Sequence, residues 1–168
     1  DEIIPIISSR KVQSNVVRRS AVLLPGLIES SRSFGGKPFV NVEIGASAGL
    51  TLLWNQYRYR YHSGAGDIEL GSPAFPWAVE VETEGNIAQV LDHGFPEIAA
   101  NVGIEIDRVD INDQDAIGWL RALIWPEHGD NRGLFDAAVK LVGSNPLDVR
   151  FGDALELLPD LFVELPDR

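Results

Sequence analysis

The sequence predicts an α/β domain built on a parallel sheet, and three observations carry that prediction. Short apolar strands alternate with amphipathic helices along most of the chain. A glycine-bracketed turn, Gly45-Ala46-Ser47-Ala48-Gly49, follows the first clear strand. Acidic residues and further glycines fall at later strand ends, where open parallel sheets bind their ligands.

Taken in order, apolar residues recur at helical spacing from Val12 to about Ser30, and Pro25 should divide or kink that segment. Residues 1–36 are therefore expected to form a helical segment packing on an α/β domain of residues 37–168. Phe39 to Ile44 reads as a strand that ends at Gly45. Ser47 is the expected N-cap of a buried helix over Ala48 to Trp54. Tyr57-Arg58-Tyr59-Arg60-Tyr61 has the period of a half-exposed strand. Ser63 to Asp67 is a turn, and Ile68 to Val81, with its prolines, reads as irregular or edge-strand structure. A second clear strand is expected over Ile104 to Val109. Asp113 then caps a helix with Ile117, Leu120, Leu123 and Ile124 on its buried stripe, ending near Trp125-Pro126. A further helix spans about Gly133 to Val142. Leu147 to Phe151 is the third strand, and Ala154 to Leu158 begins a last helix.

Composition narrows the function classes. With 168 residues the chain can form one domain with a real core, or part of a larger one. The absence of cysteine excludes disulfides, thiolate metal sites and a cysteine nucleophile. A net charge of −11, spread along the chain, repels phosphate backbones and argues against nucleic-acid partners. No apolar run is long enough for a membrane span and no segment reads as a signal peptide, so a cytoplasmic protein is expected. A small-molecule ligand is the natural partner, and oligomeric state is not legible. The chain starts at Asp1, lacks methionine and stops where another strand is expected, so it reads as a portion of a longer chain.

The turn admits three readings. Glu43-x-Gly45-x-Ser47-x-Gly49 resembles the acid-and-glycine turn of methyltransferases, with serine in place of the middle glycine. Gly103-Ile104-Glu105-Ile106 resembles their second strand, whose acid binds ribose, and Phe151-Gly152-Asp153-Ala154 their third, beside adenine. In this reading Gly45, Ala46, Ser47, Ala48 and Gly49 approach S-adenosylmethionine with backbone, and Ser47 is a helix cap beside the ligand. Glu43 orders the turn, Glu105 takes the ribose with Asp110 as its fallback, and Asp153 and Ala154 flank the adenine. Gly45-Ala46-Ser47-Ala48-Gly49 also satisfies the G-x-S-x-G nucleophile elbow, with Asp110 and His128 following in the required order. Against that stand the charge of Glu43 near an oxyanion site and the lack of a separate oxyanion loop, since Gly35-Gly36 leads into the same strand. The third reading is a non-catalytic turn, with Glu43 paired to an arginine.

Weaker signals remain. His62, His93 and His128 lack metal-ligand spacing. The Tyr57, Tyr59, Tyr61 and Arg58, Arg60 alternation suits either a stacking pocket or a plain amphipathic strand. Trp125 to His128 suits either a lid or a helix end. Asn15, Arg18 and Arg19 have solvent as their default partner, with Arg18 or Arg19 able to neutralise a ligand carboxylate.

Val12-Gln13-Ser14-Asn15 followed by Arg19, the turn with Glu43, Tyr57-Arg58-Tyr59, Trp119-Leu120-Arg121-Ala122-Leu123-Ile124-Trp125-Pro126-Glu127, and Gly152-Asp153-Ala154 together resemble the bacterial domain of unknown function 2332. The resemblance runs through most of the chain, in order. It implies a longer parent with helices before Asp1 and strands after Arg168, and a Rossmann-like, methyltransferase-like fold, but no established activity. Two positions depart from it: Val16 stands where an acid is expected, and His62 where an aspartate is.

Overall fold

The computed structural model describes residues 3–13 and 16–165. Asn15 and part of the Val12–Asn15 motif lie outside them. Helix α1 (Ile3–Ser9) precedes α2 (Arg19–Ser33), so the expected helix over residues 12–30 begins later than its apolar spacing suggests. Pro25 lies inside α2 without ending it. Proline has no N–H to give to the carbonyl of Ala21, and the buried Tyr61 hydroxyl donates to that carbonyl instead, at 2.7 Å. A side chain from another element thus repairs the helix.

Strand β1 (Phe39–Ile44) has the expected bounds. After it comes a 3₁₀ helix, Leu50–Gln56, in place of the expected α-helix. Its N-cap is Gly49 in the left-handed region, and Ser47 has φ 50. A capping serine needs extended backbone, so the expected helix-cap role of Ser47 is corrected.

An inserted sheet follows: β2 (Arg58–Ser63), β3 (Gly66–Gly71) and β4 (Ala78–Glu82). β2 is central, antiparallel to β3 and parallel to β4. The stretch Ile68 to Val81 thus supplies both edge strands, with Pro73 and Pro76 confined to the link between them. Tyr59 and Tyr61 point inward and Arg58, Arg60 and His62 outward, which is the amphipathic reading of this strand. The tyrosine hydroxyls donate to helical carbonyls: Tyr57 to Leu50, Tyr59 to Trp54 at 2.6 Å, Tyr61 to Ala21. All three rings are buried in the core. Outside, Arg58 and Arg60 share Glu69, and His62 bonds Asp67.

A short helix α3 (Ala88–Leu91) leads to β5 (Ile98–Glu105). This strand starts and ends earlier than expected. Its Ala99-Ala100-Asn101 start has little strand propensity and is held by register with β1. It ends because the Glu105 carboxylate accepts the N–H groups of Ile106 (2.8 Å) and Asp107 (3.3 Å), turning the chain out of the sheet. Helix α4 (Gln114–Ala122) is capped by Asp113, which accepts from Asp115 and Ala116 as expected. Then come α5 (Gly129–Gly143), β6 (Asp148–Phe151) and α6 (Ala154–Glu164).

β1, β5 and β6 form a three-stranded parallel sheet with β5 at its centre. One face, through Val40, Val42, Val102 and Ile104, packs on Leu161 and Leu157 of α6. The other face carries Glu43 and Gly103, which are register partners, and looks toward the larger core shared with α2, α5 and the inserted sheet. Among the described residues no helix is long and apolar enough to cross a membrane.

Candidate functional site

The turn after β1 is folded against the tip of β5. Gly45 (φ 81), Ser47 (φ 50) and Gly49 (φ 71) all take left-handed backbone, which glycine adopts freely and serine does not. The N–H groups of Gly45 and Ala46 donate to the Ile104 carbonyl at 2.8 and 3.2 Å, and that of Gly49 to Ala46 at 2.7 Å. Ser47 N–H donates to Glu105 Oε2 at 2.7 Å. Close approach is possible because β5 has Gly103 beneath the turn: a Cβ there would lie 2.8 Å from Ala46 Cβ. At Gly49 a Cβ would lie 2.5 Å from Leu147 Cδ1.

These bonds change the expected roles. Four N–H groups of the turn, at Gly45, Ala46, Ser47 and Gly49, are taken by protein acceptors. The turn is therefore not a nest of open donors. Glu105 accepts three backbone N–H groups and acts as the clamp between β5 and the turn. Asp153 accepts from Leu155 at 2.8 Å as the N-cap of α6, and Ala154 packs in the small core under the sheet. Glu43 accepts from Thr51 Oγ1 at 2.6 Å, and no cation among the described residues lies within ion-pair distance of it. Burial holds its carboxyl above the usual carboxylate range, offset in part by Thr51 and by the charge of Arg19. In place of the Glu43–arginine pair of the non-catalytic reading, the structure has this hydroxyl bond.

A cavity of about 400 Å³ opens beside the turn at the carboxyl ends of the strands. Ser47, Ala48, Asp110, Asn112, Val149 and Phe151 are among its walls, and Arg108 lies over the Phe151 ring at 5.4 Å. Gly45, Glu105, Asp153 and Ala154 do not line it. Glu43 lines a different cavity, of about 470 Å³, with Ser20, Thr51 and Trp54. Ser47, only 5% exposed, shares its cavity with Asp110, whereas His128 lines a third cavity with Arg18. The structure thus brings together two of the three residues of the hydrolase reading. Arg108 and Asn112 join the site through the chain reversal after β5, which no local pattern announces, and Phe151 reaches it as the last residue of β6. Among the described residues no three His, Asp or Glu side chains form a set able to hold a metal ion.

Fold and site define an α/β domain with a glycine turn and a cavity at the ends of a parallel sheet. The chain belongs to the family of uncharacterised proteins conserved in bacteria known as domain of unknown function 2332, whose model matches residues 1–168. No curated protein and no solved structure matches it.

Proposed function

We propose that the domain has a Rossmann-like, methyltransferase-like fold and binds S-adenosylmethionine in the cavity beside the turn. The observation that carries the reading is the pairing of the Asp110 carboxylate and the Phe151 ring in one cavity, at the carboxyl ends of parallel strands. A carboxylate there suits ribose hydroxyls, and an aromatic face suits adenine. Asp110 is a better ribose acceptor than Glu105, because both oxygens of Glu105 already accept backbone N–H groups. Asp110 uses Oδ1 to hold Asn112 N–H at 2.9 Å, which fixes the loop and leaves Oδ2 for a ligand. Ser47 and Ala48 form the adjacent wall, and Glu105 acts through them as a positioning residue.

The bound cofactor would supply an activated methyl group. The protein's part is to align a small acceptor with it and to exclude water, so a dedicated base is not required. Calorimetry with S-adenosylmethionine and S-adenosylhomocysteine tests the reading. Binding of either, weakened by Asp110→Ala, is expected; no heat from either at millimolar concentration contradicts it.

One observation favours the serine-hydrolase alternative: Ser47 is the only non-glycine residue with positive φ among the described residues, as a strained elbow requires. Fluorophosphonate labelling separates the two, since covalent modification at Ser47 belongs to the hydrolase alone.

A further inference from the structure

We propose that a second cavity, walled by the segment leading into α2, the end of α4 with the residues after it, and the first turns of α5, binds the carboxylate of a small apolar acid. It shares no lining residue with the cavity beside Ser47, and the inference does not depend on the cofactor reading.

Size and lining set the ligand class. The cavity holds about 180 Å³. An apolar cavity of roughly 150 Å³ is enough to hold benzene, so one ring or a branched chain fits and a nucleoside does not. Val17, Leu120, Ile124 and Leu134 form apolar walls, and among the described residues no aspartate or glutamate lines the space. In a chain of net charge −11, such a lining leaves the charge of Arg18 unopposed within the cavity.

Arg18 sets the charge. Its Nε donates to Asn131 Oδ1 and its Nη1 to the Glu80 carbonyl at 2.6 Å. Both acceptors are neutral. Arg58, Arg60, Arg121 and Arg150 each reach a carboxylate, but Arg18 reaches none among the described residues. Its two hydrogen bonds hold the planar guanidinium in place while Nη2 finds no acceptor among the described residues, which suits a ligand carboxylate better than a mobile side chain would. At the rim, Trp125 is 71% exposed, and His128 adds an imidazole at the start of α5. An aromatic wall, a fixed cation and an apolar floor together recognise an apolar monocarboxylate.

Benzoate and its neutral match benzamide are the probes, titrated into the full chain and followed by backbone amide NMR. Benzoate is expected to shift amides from Leu123 to Asn131 and to bind at least about tenfold more tightly than benzamide, the scale of one charge-assisted hydrogen bond. Arg18→Gln should abolish that preference. Because Arg18 also ties α2 to Asn131 and β4, a second variant at an exposed position is included: Trp125→Ala should keep the fold and weaken both probes several-fold. Equal affinity for the two probes, no binding of benzoate at millimolar concentration, or shifts at Ser47 and Asp110 instead would each overturn the proposal.

Discussion

The Glu105 carboxylate accepts the backbone N–H of Ser47 at 2.7 Å, across 58 residues of sequence, while its other oxygen holds Ile106 and Asp107. One side chain therefore ends β5 and seats the turn that follows β1. Glu105→Ala strands the buried Ser47 donor and should cost about 1–3 kcal/mol in denaturant titrations. Glu105→Gln keeps one good acceptor and should cost less. Equal stability of Glu105→Ala and the native protein would show that the clamp does not matter.

Gly103 lies under the turn because any larger residue meets Ala46. Its backbone is not left-handed, so Gly103→Ala tests space alone. With a Cβ 2.8 Å from Ala46 Cβ and 3.0 Å from Leu52 Cδ1, the variant should lose about 1–3 kcal/mol. Amide exchange at Gly45 to Ser47 should also accelerate, as their bonds to β5 lengthen. Unchanged exchange there would mean that the strain is absorbed elsewhere.

Tyr61 and Pro25 form a compensated pair. Tyr61→Phe leaves the Ala21 carbonyl without its hydroxyl donor and should cost about 1–2 kcal/mol. Pro25→Ala restores a helical N–H four residues beyond that carbonyl. In the Pro25→Ala background, Tyr61→Phe should therefore cost clearly less than in the native chain. A double-mutant cycle with no coupling refutes the repair.

Glu43 makes stability depend on pH. Burial, the largest influence on it, favours the protonated acid in the folded state, so the folded protein binds this proton more tightly than the unfolded chain. Stability from this group is greatest below the ordinary carboxylate range and falls as pH rises through the raised folded value. Glu43→Gln removes that loss and keeps an acceptor for Thr51. Its stability relative to the native protein should increase as pH rises from acid to neutral, read from denaturation midpoints across the range. A difference that shrinks with rising pH contradicts the sign.

Much of the parallel sheet was legible because its signals are local. Phe39–Ile44 is rich in β-branched residues and bounded by glycine, and Asp113 precedes an amphipathic run, so the strand bounds and the helix cap both follow from local sequence. The Ala99-Ala100-Asn101 start of β5 carries no local strand signal, because only pairing with β1 makes it a strand. A serine before a helical run looks like a cap whether its φ is negative or positive, so the left-handed backbone of Ser47 is not legible locally. Site residues followed the same division. The glycine turn is a local pattern, whereas the use of Glu105 as a clamp, the convergence of Asp110 with Phe151, and that of Arg18 with His128 arise only from tertiary contacts.

The proposed nucleoside cofactor beside the Ser47 turn should register in amide NMR of the chain titrated with S-adenosylhomocysteine. Shifts should concentrate at Ser47, Ala48, Asp110, Asn112 and Phe151, and Asp110→Ala should suppress them. No shifts at millimolar S-adenosylhomocysteine, or shifts confined to the surroundings of Arg18 and His128, would rule out a nucleoside cofactor at this turn.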